Sequence, residues 1–351
     1  MAYINFQPKD HFATKLYTGN GSAGNAQTGV GFAPNFVWIK SRSNSQKNCL
    51  FDTPRGVTKT VYSDNDAAEV TEPQLLTAFD SDGFTLGTDS DINGSGWTYA
   101  SWNWKAGTST GLDFSAGDIT PSAYSINTTS GIGIYKYTGD GTVGGDTIAH
   151  NLGATPKLLM VKQLTDSYSW AVQHGSIANT KILNLNTTAG EASNDAFHNT
   201  YPTSTLITLG SSTYTNAVAG TKQYVMYAFS PVKGYSSYGA YTGTGNVDGS
   251  FIYTGFKPSL FIAKESNAVD PWHMWNNKSS TSGKNVIDKS LQPNDVSSEA
   301  TGNGKDIDFL ANGVKLRTSN SEINGSGSPY IYMAWAAEPL VSSNGKAGTA
   351  R

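Results

Sequence analysis

Two glycine-rich strings, Gly19-Asn-Gly21-Ser-Ala-Gly24 and Gly139-Asp-Gly141-Thr-Val-Gly144, have the G-x-G-x-x-G spacing that lets backbone amides approach a pyrophosphate. That chemistry needs a strand leading in and a helix leading out, so that the helix N-terminus meets the phosphate. Here the residues leading out, Asn25-Ala-Gln-Thr and Gly145-Asp-Thr-Ile-Ala-His, read as another strand, and the expected structure is a glycine turn in a hairpin. A third string, Asp89-Ser-Asp91-Ile-Asn93-Gly94, sets oxygen ligands at alternate positions before a glycine, as a calcium loop does. Ala100 stands where the closing acid belongs. Asp89, Asp91 and Asn93 are therefore a weak calcium set, with a solvated turn as the default, and no cofactor is expected.

The histidines, His11, His150, His174, His198 and His273, lie far apart and lack zinc-ligand spacing. Cys49, the lone cysteine, excludes an internal disulfide and reads as a buried thiol in a chain folded in a reducing cytoplasm. The acidic pairs Asp64/Asp66 and Asp80/Asp82 could serve a glycosidase only if folding set two carboxyls across a cleft, and turn-forming Asp gives the same spacing. Aromatic faces near a surface bind sugars and protein partners. Trp170 and the string Asp270-Pro-Trp272-His273-Met-Trp275 make Trp170, Trp272, His273 and Trp275 the candidate ligand-binding residues. Trp170 and Trp272 each follow a strand-ending lysine, Lys162 or Lys264, by eight residues, and such repetition favours scaffold over site.

The elements that would position these groups recur. Tyr-Thr-Gly begins at Tyr17, Tyr137 and Tyr241, each followed by a glycine-rich turn and then by a strand running from proline to lysine: Pro34 to Lys40, Pro156 to Lys162, Pro258 to Lys264. Phe79 to Leu86 matches Phe309 to Leu316, and Ile92-Asn-Gly-Ser-Gly96 recurs as Ile323-Asn-Gly-Ser-Gly327. Each unit closes on an aromatic strand, Trp97 to Trp104, Tyr224 to Phe229 or Tyr330 to Trp335, the first with the alternation of a half-buried strand broken by one slip. Charged residues are 15% of a 351-residue chain with 38 glycines, a mixture suited to strands and tight turns. The predicted fold is all-β: three tandem β-sandwich repeats of jelly-roll or lectin-like type at 16–107, 131–234 and 235–340. An N-terminal arm (1–15), a linker (108–130) and a C-terminal tail (341–351) complete the chain. Two short helices are expected, one within 71–76 and one over 189–197.

A net charge of -3 with scattered Lys and Arg provides no basic field for nucleic acid. No stretch of 18 apolar residues predicts a membrane span, and the start has no secretion-signal pattern.

The whole sequence resembles a family of tail-fibre-like virion proteins of marine bacteriophages. The likeness is carried by Ile4 to Ser22, Gly31 to Arg42, Asp52-Thr-Pro-Arg-Gly56, Ala100 to Gly107, and the ending Tyr330 to Leu340 and Thr349-Ala-Arg351. It implies a particle component with lectin-like modules and brings no catalytic residues. The expected function is a non-enzymatic virion protein, made in the host cytoplasm and displayed as a homo-oligomer on the tail. Its partners would be other virion proteins and a host-surface glycan or receptor, through modules individually weak and jointly avid. The arm and tail, outside the repeats, are the expected particle contacts, and the divergent middle copy is the first place to look for a changed surface. Capsid decoration and polysaccharide depolymerisation are the alternatives.

Overall fold

Alternating aromatic and β-branched residues punctuated by glycine favour pleated strands, and the computed structural model of the chain is built almost wholly of antiparallel ones. It describes residues 4–142, 144–217, 221–282, 285–338 and 341–342. Three large sheets share one central order. In the first unit Phe12–Thr18, Thr98–Trp104, Phe36–Ser41 and Cys49–Asp52 lie side by side. The second aligns Ile132–Thr138, Gln223–Phe229, Leu158–Gln163 and Ala171–His174. The third aligns Ser236–Thr242, Pro329–Trp335, Leu260–Glu265 and His273–Asn276. Each unit adds a smaller sheet: Asn25–Thr28, Gly83–Leu86 and Leu76–Asp80 in the first, Asp146–Ala149 and Leu206–Leu209 in the second, Phe251–Tyr253, Gly313–Leu316 and Ile307–Leu310 in the third.

The central strands are covered on both faces, not half-buried. In Phe36–Ser41, Phe36 and Trp38 enter one core cluster while Val37 and Ile39 enter another. The apparent slip in the closing strand has the same origin. Trp97 precedes the strand, Tyr99 faces the first unit's own outer core, and Trp102 and Trp104 face the opposite way.

That opposite face meets its counterparts from the other units in a single axial core, which gathers Phe36 and Trp104, Leu158 and Phe229, and Leu260 and Trp335. Trp104, Phe229 and Trp335 hold equivalent places, paired with Phe36, Leu158 and Leu260. Their rings close a triad with centroids 6.4, 5.4 and 5.4 Å apart. The units are thus sectors of one body.

Loops lock the sectors edge to edge. The Gln46 amide donates to Val296 O at 3.0 Å, Tyr168 to Asp66 O at 2.8 Å and Asp270 to Thr188 O at 2.9 Å. Amides of Glu299, Glu69 and Glu191 donate back to Arg42, Leu164 and Ser266 carbonyls at 2.9, 3.0 and 2.6 Å. The first set of donors lies six residues beyond Lys40, Lys162 and Lys264, and the second set of acceptors two residues beyond, so one seam recurs three times.

Four further expectations change. The stretch 108–130 is part of the second unit and not a linker: Ala123–Asn127 is an edge strand of its main sheet, and Phe114, Ile119 and Ile126 are buried in its outer core. The first unit begins earlier than residue 16, because Phe12 is already a buried sheet residue. Neither expected helix forms; the α-helical turns are Ser90–Asn93 and Ser321–Asn324. The arm is docked, with Ile4–Phe6 pairing antiparallel with Val341–Ser342, while residues 343–351 of the tail lie outside the described residues.

Trp104→Ala removes one ring from the closed triad, leaving a cavity that three sheets share. The expected cost is about 3–5 kcal/mol, read by denaturant titration, with tryptophan fluorescence and circular dichroism falling in one coincident transition. Separate transitions for the units would contradict a shared core.

Candidate functional site

The four aromatic-site candidates are interior. Trp170, Trp272 and His273 are 0% exposed and Trp275 1%, so none offers a ring face to a ligand. Their repeated spacing has a structural cause. Trp170 Nε1 donates across a seam to Tyr62 O at 2.8 Å, and Trp272 Nε1 across the next to Asn184 O at 3.0 Å. The first unit has Asn48 at this place, whose Nδ2 donates to Asp295 O at 2.9 Å. Trp275 Nε1 donates to Lys305 O within its own unit. His273 Nε2 lies 2.7 Å from Glu322 Oε2, and Lys305 Nζ is 3.1 Å from the same oxygen. The His273 hydrogen bond, followed by these neighbouring charges, holds the Glu322 carboxyl down at about 2, and burial lowers the His273 pKa.

The glycine strings are corners between sheets and not hairpins, because the strands on either side belong to different sheets. Their amides are taken by asparagine. Asn93 Oδ1 accepts from Asn20 N at 2.9 Å, Asn216 Oδ1 from Asp140 N at 2.8 Å and Asn324 Oδ1 from Thr244 N at 2.8 Å. The approach requires glycine: a Cβ at Gly19 would stand 2.4 Å from Gly94 O. Stacked tyrosines brace each corner, Tyr17 on Tyr99, Tyr137 on Tyr224 and Tyr241 on Tyr330. The Tyr-Thr-Gly hydroxyls donate to Ile92, Thr215 and Ile323 carbonyls, each at 2.8 Å.

The calcium set is occupied by the same construction. Asp89 caps the helical turn by accepting from Asp91 N, Asp91 lies 3.6 Å from Lys47 Nζ, and Asn93 is committed to the corner. Among the described residues no group of three His, Cys, Asp or Glu side chains is arranged to hold a metal ion. Asp82 accepts from the Gly29 and Gly31 amides, while Asp80 accepts from Thr85 Oγ1 of the paired strand, so each carboxylate of that acidic pair already has its own structural partner. Cys49 is a free, buried thiol.

Buried cations line the seams. Lys40, Lys162 and Lys264 are each 0% exposed, and burial brings each down to about 8. Their ammonium groups donate to backbone carbonyls: Lys40 to Gln46 and Val296, Lys162 to Asp66 and Gln163, Lys264 to Glu265 and Ala268. The Asp52-Thr-Pro-Arg55 string supplies a further link. Arg55 Nε is 2.6 Å from Asp52 Oδ2, which also accepts from the Tyr227 hydroxyl of the second unit at 2.6 Å.

Two surface features stand apart. A shallow groove of about 350 Å³ between the first and second units is lined by Asn35, Thr53, Pro54, Ser109, Ser122 and Tyr124, among others, with no carboxylate, imidazole or thiol in its wall. On the third unit, Tyr253 is 67% and Phe251 45% exposed on the outer strand Phe251–Tyr253. Register places Ala26 and Thr28 of the first unit, and Thr147 and Ala149 of the second, at the equivalent positions. This is the display that sequence reasoning missed. Its signal was a place where one copy alone turns aromatic.

The divergent middle copy has a different peculiarity. Asp140 and Asp146 stand where the first unit has Asn20 and Asn25, and Asn216 Nδ2 donates to Asp146 Oδ2 at 2.6 Å. Burial, and then the hydrogen bond and charge of Asp140, push Asp146 up to about 6. A carboxyl whose folded pKa is raised stabilises the protein fully below its unfolded pKa near 4 and loses that contribution as pH rises through about 6. Asp146→Asn should therefore raise the melting temperature at pH 7.5 and give no gain at pH 4, measured by calorimetry at both.

No curated protein and no solved structure matches the chain. A family model matches residues 7–339, from the arm through all three sheets. The chain therefore belongs to the DUF7483 family, a domain of unknown function.

Proposed function

We propose that this chain is a non-enzymatic structural component of a bacteriophage particle, a tail-fibre or tail-associated protein that helps attach the particle to its host. The observation that carries the reading is the use of interior polar chemistry for assembly. The buried Lys40 and Lys162, the Tyr227 hydroxyl on Asp52, and the seam-facing indole N–H groups of Trp170 and Trp272 join one sector to the next. The product is a rigid body whose chemistry is packing, as an adsorption device requires. The resemblance carried by Ile4 to Ser22, Asp52 to Gly56 and Ala100 to Gly107 supports placing that body on a virion. A depolymerase needs two carboxyls roughly 5–10 Å apart with a sugar between them, whereas Asp140 and Asp146 both accept from the one Asn216 side-chain amide, which stands between them.

Fitting the three-sector body into a particle reconstruction tests the proposal. Density at the tail is the expected result. Density on the capsid shell would turn the reading to decoration, and a particle without the protein would overturn it. Arg55→Ala, which strands the buried Asp52 carboxylate, should weaken the body by about 3–5 kcal/mol, and particles assembled with it should lose adsorption on mild heating before wild-type particles do.

A further inference from the structure

The strand that carries each Tyr-Thr, Phe12–Thr18, Ile132–Thr138 or Ser236–Thr242, stands at the same side of its main sheet. Among the described residues only the second has a further strand beyond it, Ala123–Asn127. In the third unit two hydrogen bonds fix which backbone groups face outward: Ala336 N donates to Tyr235 O at 2.8 Å and Gly243 N to Ser328 O at 2.9 Å. Ser237, Gly239 and Tyr241 therefore bond inward to Pro329–Trp335, and the N–H and C=O of Tyr238 and Ala240 point away from the sheet. Ile134 and Lys136 hold the equivalent places in the second unit, and they are the residues opposite Ser125 and Ala123.

A free edge invites pairing unless charge, proline or a bulge blunts it. Phe12–Thr18 carries Lys15 at mid-strand. Ser236-Ser-Tyr-Gly-Ala-Tyr-Thr242 carries no charge and no proline, pairs with its neighbour without a register shift, and is half-buried or exposed from Ser237 to Thr242.

The chain itself shows what fits such an edge. Ala123-Tyr-Ser-Ile-Asn127, ending ten residues before Tyr137, is matched by Ala2-Tyr-Ile-Asn5, ending twelve before Tyr17. The N-terminal arm is thus the first unit's counterpart of the covering strand. It does not cover Phe12–Thr18: the turn Pro8–Asp10 intervenes, and Ile4–Phe6 pairs with Val341–Ser342 instead. That ladder has two residue pairs and a register shift, against five pairs for Ala123–Asn127. The third unit follows Phe229 after six residues, 230–235, and has no counterpart at all. Two covering segments serve three edges, and one of them is held only by a two-residue strand.

We propose that the Ser236–Thr242 edge receives the N-terminal arm of a second copy of this chain, added as an antiparallel strand with Ala2 opposite Ala240. Backbone hydrogen bonds to Tyr238 and Ala240 supply the affinity, as in other cases of strand addition. Reciprocal exchange of arms between two copies satisfies both edges. The inference goes beyond the attachment role proposed above and does not rest on it.

In sedimentation velocity the full chain should associate as its concentration rises. Ala240→Pro removes an outward N–H that no strand of the described residues meets, so association should weaken by about tenfold or more at an unchanged melting temperature. Removal of residues 1–5 should weaken it likewise. A mixture of Ala2→Cys and Ala240→Cys chains should form a disulfide between copies under mild oxidation, since the native Cys49 is buried. A chain that is monomeric at every concentration overturns the proposal, as does association that Ala240→Pro leaves untouched. Association lost with Ala240→Pro but kept without residues 1–5 assigns the edge to another segment and overturns the arm as its occupant. A disulfide that forms only within a doubly substituted chain puts the arm on its own third unit and overturns exchange between copies. Pairing through this edge by a chain absent from the particle spares the inference and refutes the virion role; a monomer found on the particle does the reverse.

Discussion

The burial of each main sheet on both faces is the constraint on which everything else depends. One face is covered within the unit by the smaller sheet and its corner. The other is covered only by the two remaining units, through the axial cluster around Trp104, Phe229 and Trp335. A single unit taken alone would expose a continuous row of large apolar rings, which water does not tolerate over such an area. The three seams follow from that requirement, because sheets brought together at an axis must also close along their edges. Loops of fixed offset from Lys40, Lys162 and Lys264 do this with matched backbone hydrogen bonds.

Placing charge in those seams has a cost that explains its form. A buried ammonium or guanidinium is tolerated when its hydrogens find acceptors. The lysines find backbone carbonyls, and Arg55 finds Asp52, Glu69 and the Leu50 carbonyl. Glu69, Glu191 and Glu299 have cation partners at equivalent places, Lys59, Lys181 and Lys289. Removing one member of such a set is far more damaging than never having had it, so the polar seams favour one arrangement of the sectors over others.

Much of this was legible in the sequence, and for a common reason. Tyr-Thr-Gly and the proline-to-lysine strand each do one job three times and the Asn-Gly-Ser-Gly corner does its job twice, so repetition exposed them before their jobs were known. The same repetition warned that Trp170 and Trp272 were scaffold; what sequence could not show is that their N–H groups reach across to the preceding sector, because no spacing within a chain encodes a contact between Trp170 and Tyr62. Stretch 108–130 looked like a linker because Ser, Thr, Gly and Asp mask three buried apolar anchors, Phe114, Ile119 and Ile126. The glycine corners looked like hairpins because a turn between two sheets and a turn between two paired strands use the same residues. Phe251 and Tyr253 escaped notice for the opposite reason: they depart from the pattern, and only the register against Lys315 and Gly313 shows which residues they replace.

The axial triad also has a consequence for biosynthesis. Its first ring, Trp104, is made early and its last, Trp335, near the end of the described chain. At translation rates of about 5–20 residues per second, roughly ten to fifty seconds separate the two. Until the second sheet is made the first carries an aromatic face with nothing to lie against, and from then until the third arrives the pair leave uncovered the rings that it will bury. A nascent chain in this state is a substrate for chaperones and a seed for aggregation, so the yield of folded protein depends on how the cell shields those rings until the third sector arrives.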